Sequence, residues 1–214
     1  MLDDVLMYGS IFSPLPGLLI GQRHWRAYAT IIRTILFVVL LSFLSDVVML
    51  ALLMNSIPNM PVANIYGLTE GLLFSYFFYL RLTPYRKFIV SIAVIFALLY
   101  LADVILVTHL MSFNAYSRTL EAGIMILFST LYFYSIFQNE TDIFIDKSSE
   151  FWIVVGILFY FSGAFFSFLL STDILSLSPD RFYSSWILHN ISNIIKNIIF
   201  TAALWKAVPN SGMK

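Results

Sequence analysis

Hydrophobic residues along this chain gather in long runs rather than alternating with polar ones, and the runs recur at the spacing of membrane crossings. A helix needs about 20 mostly apolar residues to cross a hydrocarbon core roughly 30 Å thick. Six runs reach that length: 29–54, 63–82, 88–111, 117–138, 151–171 and 185–207. A seventh, 5–21, is shorter and carries Pro14 and Pro16; it is taken as a span, with a re-entrant or interfacial segment as the alternative. Short connections rich in turn residues join them: NSIPNMP (55–61), TPYR (83–86) and SLSPDR (176–181). Only the acidic stretch NETDIFIDKSSE (139–150) is long enough to form a small surface of its own. The pattern predicts an all-α polytopic membrane protein, one seven-helix transmembrane domain over residues 1–214.

Direction follows from the basic residues, which collect on the cytoplasmic side of membrane proteins. The segments after the first, third, fifth and seventh spans hold Arg23, Arg26, Arg33, Arg81, Arg86, Lys87, Lys147, Lys206 and Lys214. The opposite side has Arg118 and Arg181. The bias predicts an outward N-terminus and a cytoplasmic C-terminus. Trp25, Trp152, Trp186 and Trp205 all fall near expected helix ends, where aromatic belts form. Trp186 and Trp205 bracket the last span: 19 residues at 1.5 Å each make about 28 Å, close to the hydrocarbon thickness.

One polar stretch interrupts the pattern. In the last span, HNISNIIKN (189–197) sets a histidine, three asparagines, a serine and a lysine among isoleucines. On a wheel of 100° per residue, Ser185, His189, Asn190, Ser192, Asn193, Lys196 and Asn197 share one half. Ile187, Leu188, Ile191, Ile194, Ile195, Ile198, Ile199 and Ala202 fill the other. Such polar groups at membrane depth point into the bundle or a wet cavity, not into lipid.

Depth extends the argument to other helices. Counting 1.5 Å per residue from each expected outer end puts Asp46 about 14 Å deep, Glu70 about 10 Å, Asp103 about 12 Å and Glu121 about 8 Å. His189 falls about 6 Å down, Asn193 about 12 Å and Lys196 about 16 Å. Five helices therefore carry an ionisable residue in the outer half, while FVVLLSF, SYFFYL and TLYFYSIF make the inner half apolar and aromatic. The expectation is an outward polar pocket closed below by a hydrophobic plug. A charge at the bilayer centre costs about 2.5–3.5 kcal/mol, so the four carboxyls require counter-charge, with Lys196, Arg118 and His189 nearby. Asp46, Glu70, Asp103, Glu121, His189, Asn190, Asn193, Lys196 and Asn197 form the candidate ligand-binding set. The alternative is that they only pair with one another and set helix register.

Composition narrows the classes. The chain is 60% hydrophobic and 11% charged, less than half the charge of about a quarter usual in soluble domains. Its net charge of zero and the lack of basic clusters with interleaved aromatics argue against nucleic acid as a partner. The count of zero cysteines excludes disulfides, thiolate metal sites and thiol catalysis. The acidic start MLDD, where a secretory signal would be basic, predicts that the first apolar run is retained. Gly156, Gly163 and Ser167 in the sixth span share or nearly share a face and predict close helix packing rather than chemistry.

The segments SRTLEAG (117–123), FWIVVGILFYFSG (151–163) and WILHNISNIIKN (186–197) resemble a group of small seven-helix membrane proteins widespread in Bacteroidetes. The resemblance extends from the second span to the C-terminus and centres on Glu121, Gly163 and His189. It implies a seven-helix architecture and a bacterial inner-membrane location, and no activity.

Four functions compete. The first is binding or sensing of a small polar ligand; with seven residues after the span 185–207, a signal would pass through a partner in the membrane. The second is small-solute or proton-coupled transport, as in small sugar transporters with a proline in the first and fifth helices; RTLEAGIMILFSTLYFYSIF has none, and no repeat relates the two halves. The third is retinal binding through Lys196, with Glu70 as counterion and Ser192 at the S-x-x-x-K spacing, though the Trp-x-x-Tyr-Pro pattern is absent. The fourth is a membrane-embedded hydrolase. His109 and Asp103, six residues apart, stand about 240° apart on a helix, which opposes a shared metal with His189. No cofactor, metal or catalytic group is assigned.

Overall fold

Every described element is helical, as lipid requires of a chain whose backbone N–H and C=O groups have no water to bond. The computed structural model describes residues 2–138, 148–169, 171 and 179–208, and within these every side chain except those of 2, 3 and 179–185. Lys147, Lys214, the side chains of Arg181 and Ser185, and most of the acidic stretch 139–150 lie outside the described residues. The helices are α1 (Leu2–Phe12), α2 (Leu15–His24), α3 (Thr30–Met54), α4 (Met60–Arg81), α5 (Arg86–Ala102), α6 (Ala115–Gln138), α7 (Ser149–Leu169) and α8 (Pro179–Lys206). Six stretches are long and apolar enough to cross a membrane: Asp4–Ala27, Thr30–Met54, Thr83–Val107, Ala115–Gln138, Ser149–Leu169 and Trp186–Lys206. The short first run thus belongs to one of them. The stretch outside them is α4, which covers the expected span 63–82. Its apolar content is lowered by Asn64, Thr69, Glu70 and Ser75, and of these Asn64, Glu70 and Ser75 are buried.

Helices adjacent in sequence pack side by side, and the last closes on the first. α3 packs on α4, α4 on α5 and α6, α6 on α7, and α7 on α8. α8 then lies against α1 and α2. Gly156 and Gly163 make the α7–α8 seam close, as their spacing predicts: a methyl at Gly156 would stand 2.8 Å from the Phe200 ring, and one at Gly163 would overlap Ser192.

Local chemistry sets the ends. At the end of α3, Ser56 adopts φ 55°, and Ile57 N–H bonds to Leu52 C=O at 2.9 Å while Ser56 N–H bonds to Leu53 C=O at 3.0 Å. These are the two bonds of a Schellman stop, and Pro58 bars continuation. α5 ends in a π-helical turn, Asp103–Val107, where Thr108 N–H reaches back to Asp103 C=O at 2.9 Å.

The break between α1 and α2 has a specific origin. Pro14 cannot donate to the carbonyl of Ser10 four residues earlier; the Ser13 hydroxyl donates to it instead at 2.7 Å. α8 then braces the break from the side. Asn193 Nδ2 donates to Ser10 Oγ and Asn197 Nδ2 to Ser13 Oγ, both at 2.8 Å. Hydrogen bonds between membrane helices average about 0.6 kcal/mol, with a maximum near 1.7. Asn193→Leu and Asn197→Leu should each therefore lower stability by about 0.5–2 kcal/mol, read by unfolding in mixed micelles. An unchanged midpoint in both would show that these asparagines do not hold the break.

Candidate functional site

The charges of α4, α6 and α8 meet inside the bundle. On α6, Arg118 and Glu121 are one turn apart and so face the same way; Arg118 Nη1 donates to Glu121 Oε2 at 2.6 Å. Arg118 Nη2 crosses to α4 and donates to Glu70 Oε2 at 3.2 Å. The other oxygen of Glu70 accepts from Tyr66 Oη at 2.7 Å and lies 3.9 Å from Lys196 Nζ on α8. Lys196 also stands 4.0 Å above the ring of Tyr160 on α7. Asp46 on α3 is within electrostatic reach of Lys196 and Glu70. Two buried carboxyls thus face two cations, with the partly exposed Asp46 outside their ion pairs. Glu70, Glu121 and Lys196 are at most 2% exposed, and Glu121 Oε1 has no hydrogen-bond partner among the described residues.

Two glycines on α4 make room for this. Gly67, Glu70, Gly71 and Phe74 fall at i, i+3, i+4 and i+7, one stripe of the helix. A methyl at Gly67 would lie 2.5 Å from Arg118 Nη1 and 2.7 Å from Tyr100 Oη, and one at Gly71 would lie 2.6 Å from the Phe96 ring. The stripe therefore needs glycine where the guanidinium lies against the α4 backbone.

Aromatic layers enclose the charges on two sides. Below them, one turn on from Glu70 and Lys196, Phe74 packs edge-on against Phe161 at 5.6 Å and lies 6.4 Å from Phe200. Phe78 and Phe128 follow at 5.6 Å. Above them, the Arg118 guanidinium sits 5.0 Å over Phe168. Phe168, Trp186 and Phe113 pack together, with Phe113 and Trp186 rings 5.5 Å apart. His189 is boxed by Trp186 at 4.7 Å, Phe168 at 5.5 Å and Tyr160 at 5.6 Å. Its buried Nδ1 has no hydrogen-bond partner among the described residues.

The candidate residues therefore separate. Glu70, Glu121 and Lys196 come together, while Asp46 on α3 is partly exposed and makes no ion pair with them. His189 belongs to the aromatic roof, and Asn193 and Asn197 brace the α1–α2 break. Asn190 is half-buried. Asp103 at the end of α5 accepts from the hydroxyls of Thr108 and of Ser117 on α6, and so ties the two helices outside the charge cluster. His109 is exposed in the following turn, at φ 62°. The polar half of the α8 wheel is the buried half: Ser192, Asn193, Lys196 and Asn197 are all buried, while Leu188, Ile191 and Ile198 are exposed.

Two cluster members escaped the sequence reading, while Arg118, expected as a nearby counter-charge but also counted among the basic residues flanking the spans, is buried at 7% exposure. Tyr66 and Tyr160 carried no signal beyond being aromatic. Asn114 was also missed: it is fully buried, its carbonyl accepts from Arg118 N–H at 3.0 Å, and neither amide atom of its side chain has a hydrogen-bond partner among the described residues. Two open cavities lie elsewhere. One of about 430 Å³ is lined by residues such as Tyr116, Leu120 and Phe165, and one of about 800 Å³ by residues such as Arg23, Trp25 and Phe37.

The fold and site together define an all-helical membrane protein with a paired charge cluster enclosed in its bundle. No family model, curated protein or solved structure matches the chain.

Proposed function

We propose that the protein is a bacterial inner-membrane receptor for a small polar ligand, with seven transmembrane helices, an outward N-terminus and a cytoplasmic C-terminus. Ligand enters from the outer side past Trp186 and His189 and is received by the charge cluster; the response passes to a partner protein in the membrane. The observation that carries this reading is the meeting of Glu70, Arg118, Glu121 and Lys196, from three helices, in one buried cluster. Glu121 Oε1 retains acceptor capacity, and Lys196 supplies an ammonium close by. The pair suits a ligand with both an anionic group and a donor or cationic group. The basic bias toward one face supports the orientation, and it grows once Arg118 is removed from the opposite side.

Thermal unfolding of the purified protein with panels of small zwitterions, carboxylates and amines tests the proposal. A ligand at 100 times its Kd stabilises by about 2.7 kcal/mol, a midpoint shift of roughly 5–11 °C. The shift should disappear in Glu121→Gln, with cooperative unfolding of the unliganded variant as the folding control. No shift with any class would remove the proposal's support.

A second reading, solute transport, draws on one observation: the first crossing is broken at Pro14, and broken helices mark transporter sites. The aromatic layer of Phe74, Phe161 and Phe200 beneath the charges opposes it. Uptake of radiolabelled solute into proteoliposomes separates the two, since a receptor shows the thermal shift without uptake.

A further inference from the structure

The larger cavity is a groove where α2 turns into α3, and its lining changes character along its length. At one end stand Gln22, Arg23 and Arg26, all exposed. Its floor is Leu18 from α2 and Leu36, Phe37 and Leu40 from α3. Leu40 is ten residues into α3 from Thr30, about 15 Å along the axis. That is half of a hydrocarbon core roughly 30 Å thick, the depth of one leaflet. No carboxylate among the described residues pairs with Arg23 or Arg26, and between Val5 and Ser45 the chain has neither Asp nor Glu.

The turn that carries the arginines is fixed by a third one. Arg33 Nε donates to Trp25 C=O and Arg33 Nη2 to Arg26 C=O, both at 3.1 Å, and its guanidinium lies 5.7 Å from the Trp25 ring. Tyr28, 3% exposed, ties the same turn to the end of α8 by donating to Leu204 C=O at 2.8 Å. The polar end of the groove is thus held in place, and Arg23 and Arg26 keep their donors for another molecule. The smaller cavity gives a contrast within the same protein. It faces lipid through Tyr116, Leu120, Leu127, Phe165 and Leu169 and has no charged residue in its lining, as expected of a surface that any acyl chain covers.

We propose that the α2–α3 groove is a binding site for an anionic phospholipid, with the phosphodiester on Arg23 and Arg26 and one acyl chain along Leu18, Leu36, Phe37 and Leu40. A phosphodiester matches the unpaired guanidinium forks, which bind phosphate oxygens two at a time. The apolar floor, one leaflet deep, accounts for a lipid rather than a free anion. This site is separate from the charge cluster and does not depend on its function.

Trp25 in the groove lining is the reporter. The full-length protein is reconstituted in phosphatidylcholine vesicles containing, at equal mole fraction, phosphatidylglycerol or phosphatidylcholine with brominated acyl chains. Trp25→Phe measured in parallel isolates the Trp25 signal from that of Trp152, Trp186 and Trp205. Trp25 quenching should favour brominated phosphatidylglycerol, and the preference should fall by about fivefold for each of Arg23→Gln and Arg26→Gln. Quenching by brominated phosphatidylcholine, and the unfolding midpoint, should stay unchanged in both variants. Equal quenching by the two lipids overturns the proposal, as does a preference that survives the double variant. Displacement of the lipid by inorganic phosphate also overturns it, because the groove would then be a free-anion site.

Discussion

Arg118→Met is expected to destabilise the folded protein by about 3–5 kcal/mol, the cost of leaving buried charge without its partner. Arg118 is the only group bonded to both Glu70 and Glu121 among the described residues, at 3.2 and 2.6 Å. Its loss leaves two carboxyls facing each other inside the bundle, with Lys196 3.9 Å from one of them. Arg118→Met/Glu121→Gln restores the original charge balance and should recover most of the loss, so the pair forms a cycle that isolates the coupling. Detergent unfolding followed by tryptophan fluorescence measures both. A single variant as stable as the wild type would mean that the cluster does not hold α4 and α6 together.

Gly67→Ala should cost about 1–3 kcal/mol, the range for overpacking a filled interior. The added methyl meets Arg118 Nη1 at 2.5 Å and Tyr100 Oη at 2.7 Å. A long side chain can often swing aside, but this one is held by two carboxylates and cannot move without breaking a bond. Gly123→Ala is the control, since a methyl there meets nothing within 4 Å. In a helix interior that exchange stabilises by roughly 0.5–1 kcal/mol. The opposite signs make the comparison decisive, and the Gly67 penalty should shrink in the Arg118→Met background. Equal effects at the two glycines would show that α4 and α6 are further apart than the structure places them.

Much of the architecture could be read in advance because lipid imposes one rule on every residue. Long apolar runs can satisfy their backbones only as helices, so spans such as 29–54 and 117–138 match α3 and α6 within a few residues. Boundaries slipped where local chemistry overrides hydropathy. Pro14 divides the run 5–21 into α1 and α2, and the span expected at 88–111 leaves the α-helical form at Asp103 for a π-helical turn. The α8 wheel succeeded because one helix reports its own faces. It separated buried Asn193, Lys196 and Asn197 from exposed Leu188, Ile191 and Ile198 without knowledge of a neighbour.

By itself, then, the sequence determined that the chain is a helical membrane protein and which face of α8 avoids lipid, since both follow from local composition and a fixed helical period. Only the tertiary structure decided what each polar group does. Asp103 and Glu121 look alike as intramembrane carboxylates, yet one accepts from the hydroxyls of Thr108 and of Ser117 on α6 while the other pairs with Arg118. Asn193 and Lys196 share a helix face, yet one braces a proline break and the other enters the charge cluster. Those roles depend on which partner stands within about 3–4 Å, and contacts between Glu70, Arg118 and Lys196 join residues far apart in the chain. Periodicity carries no information about such distances; the packing of the described helices around one another does.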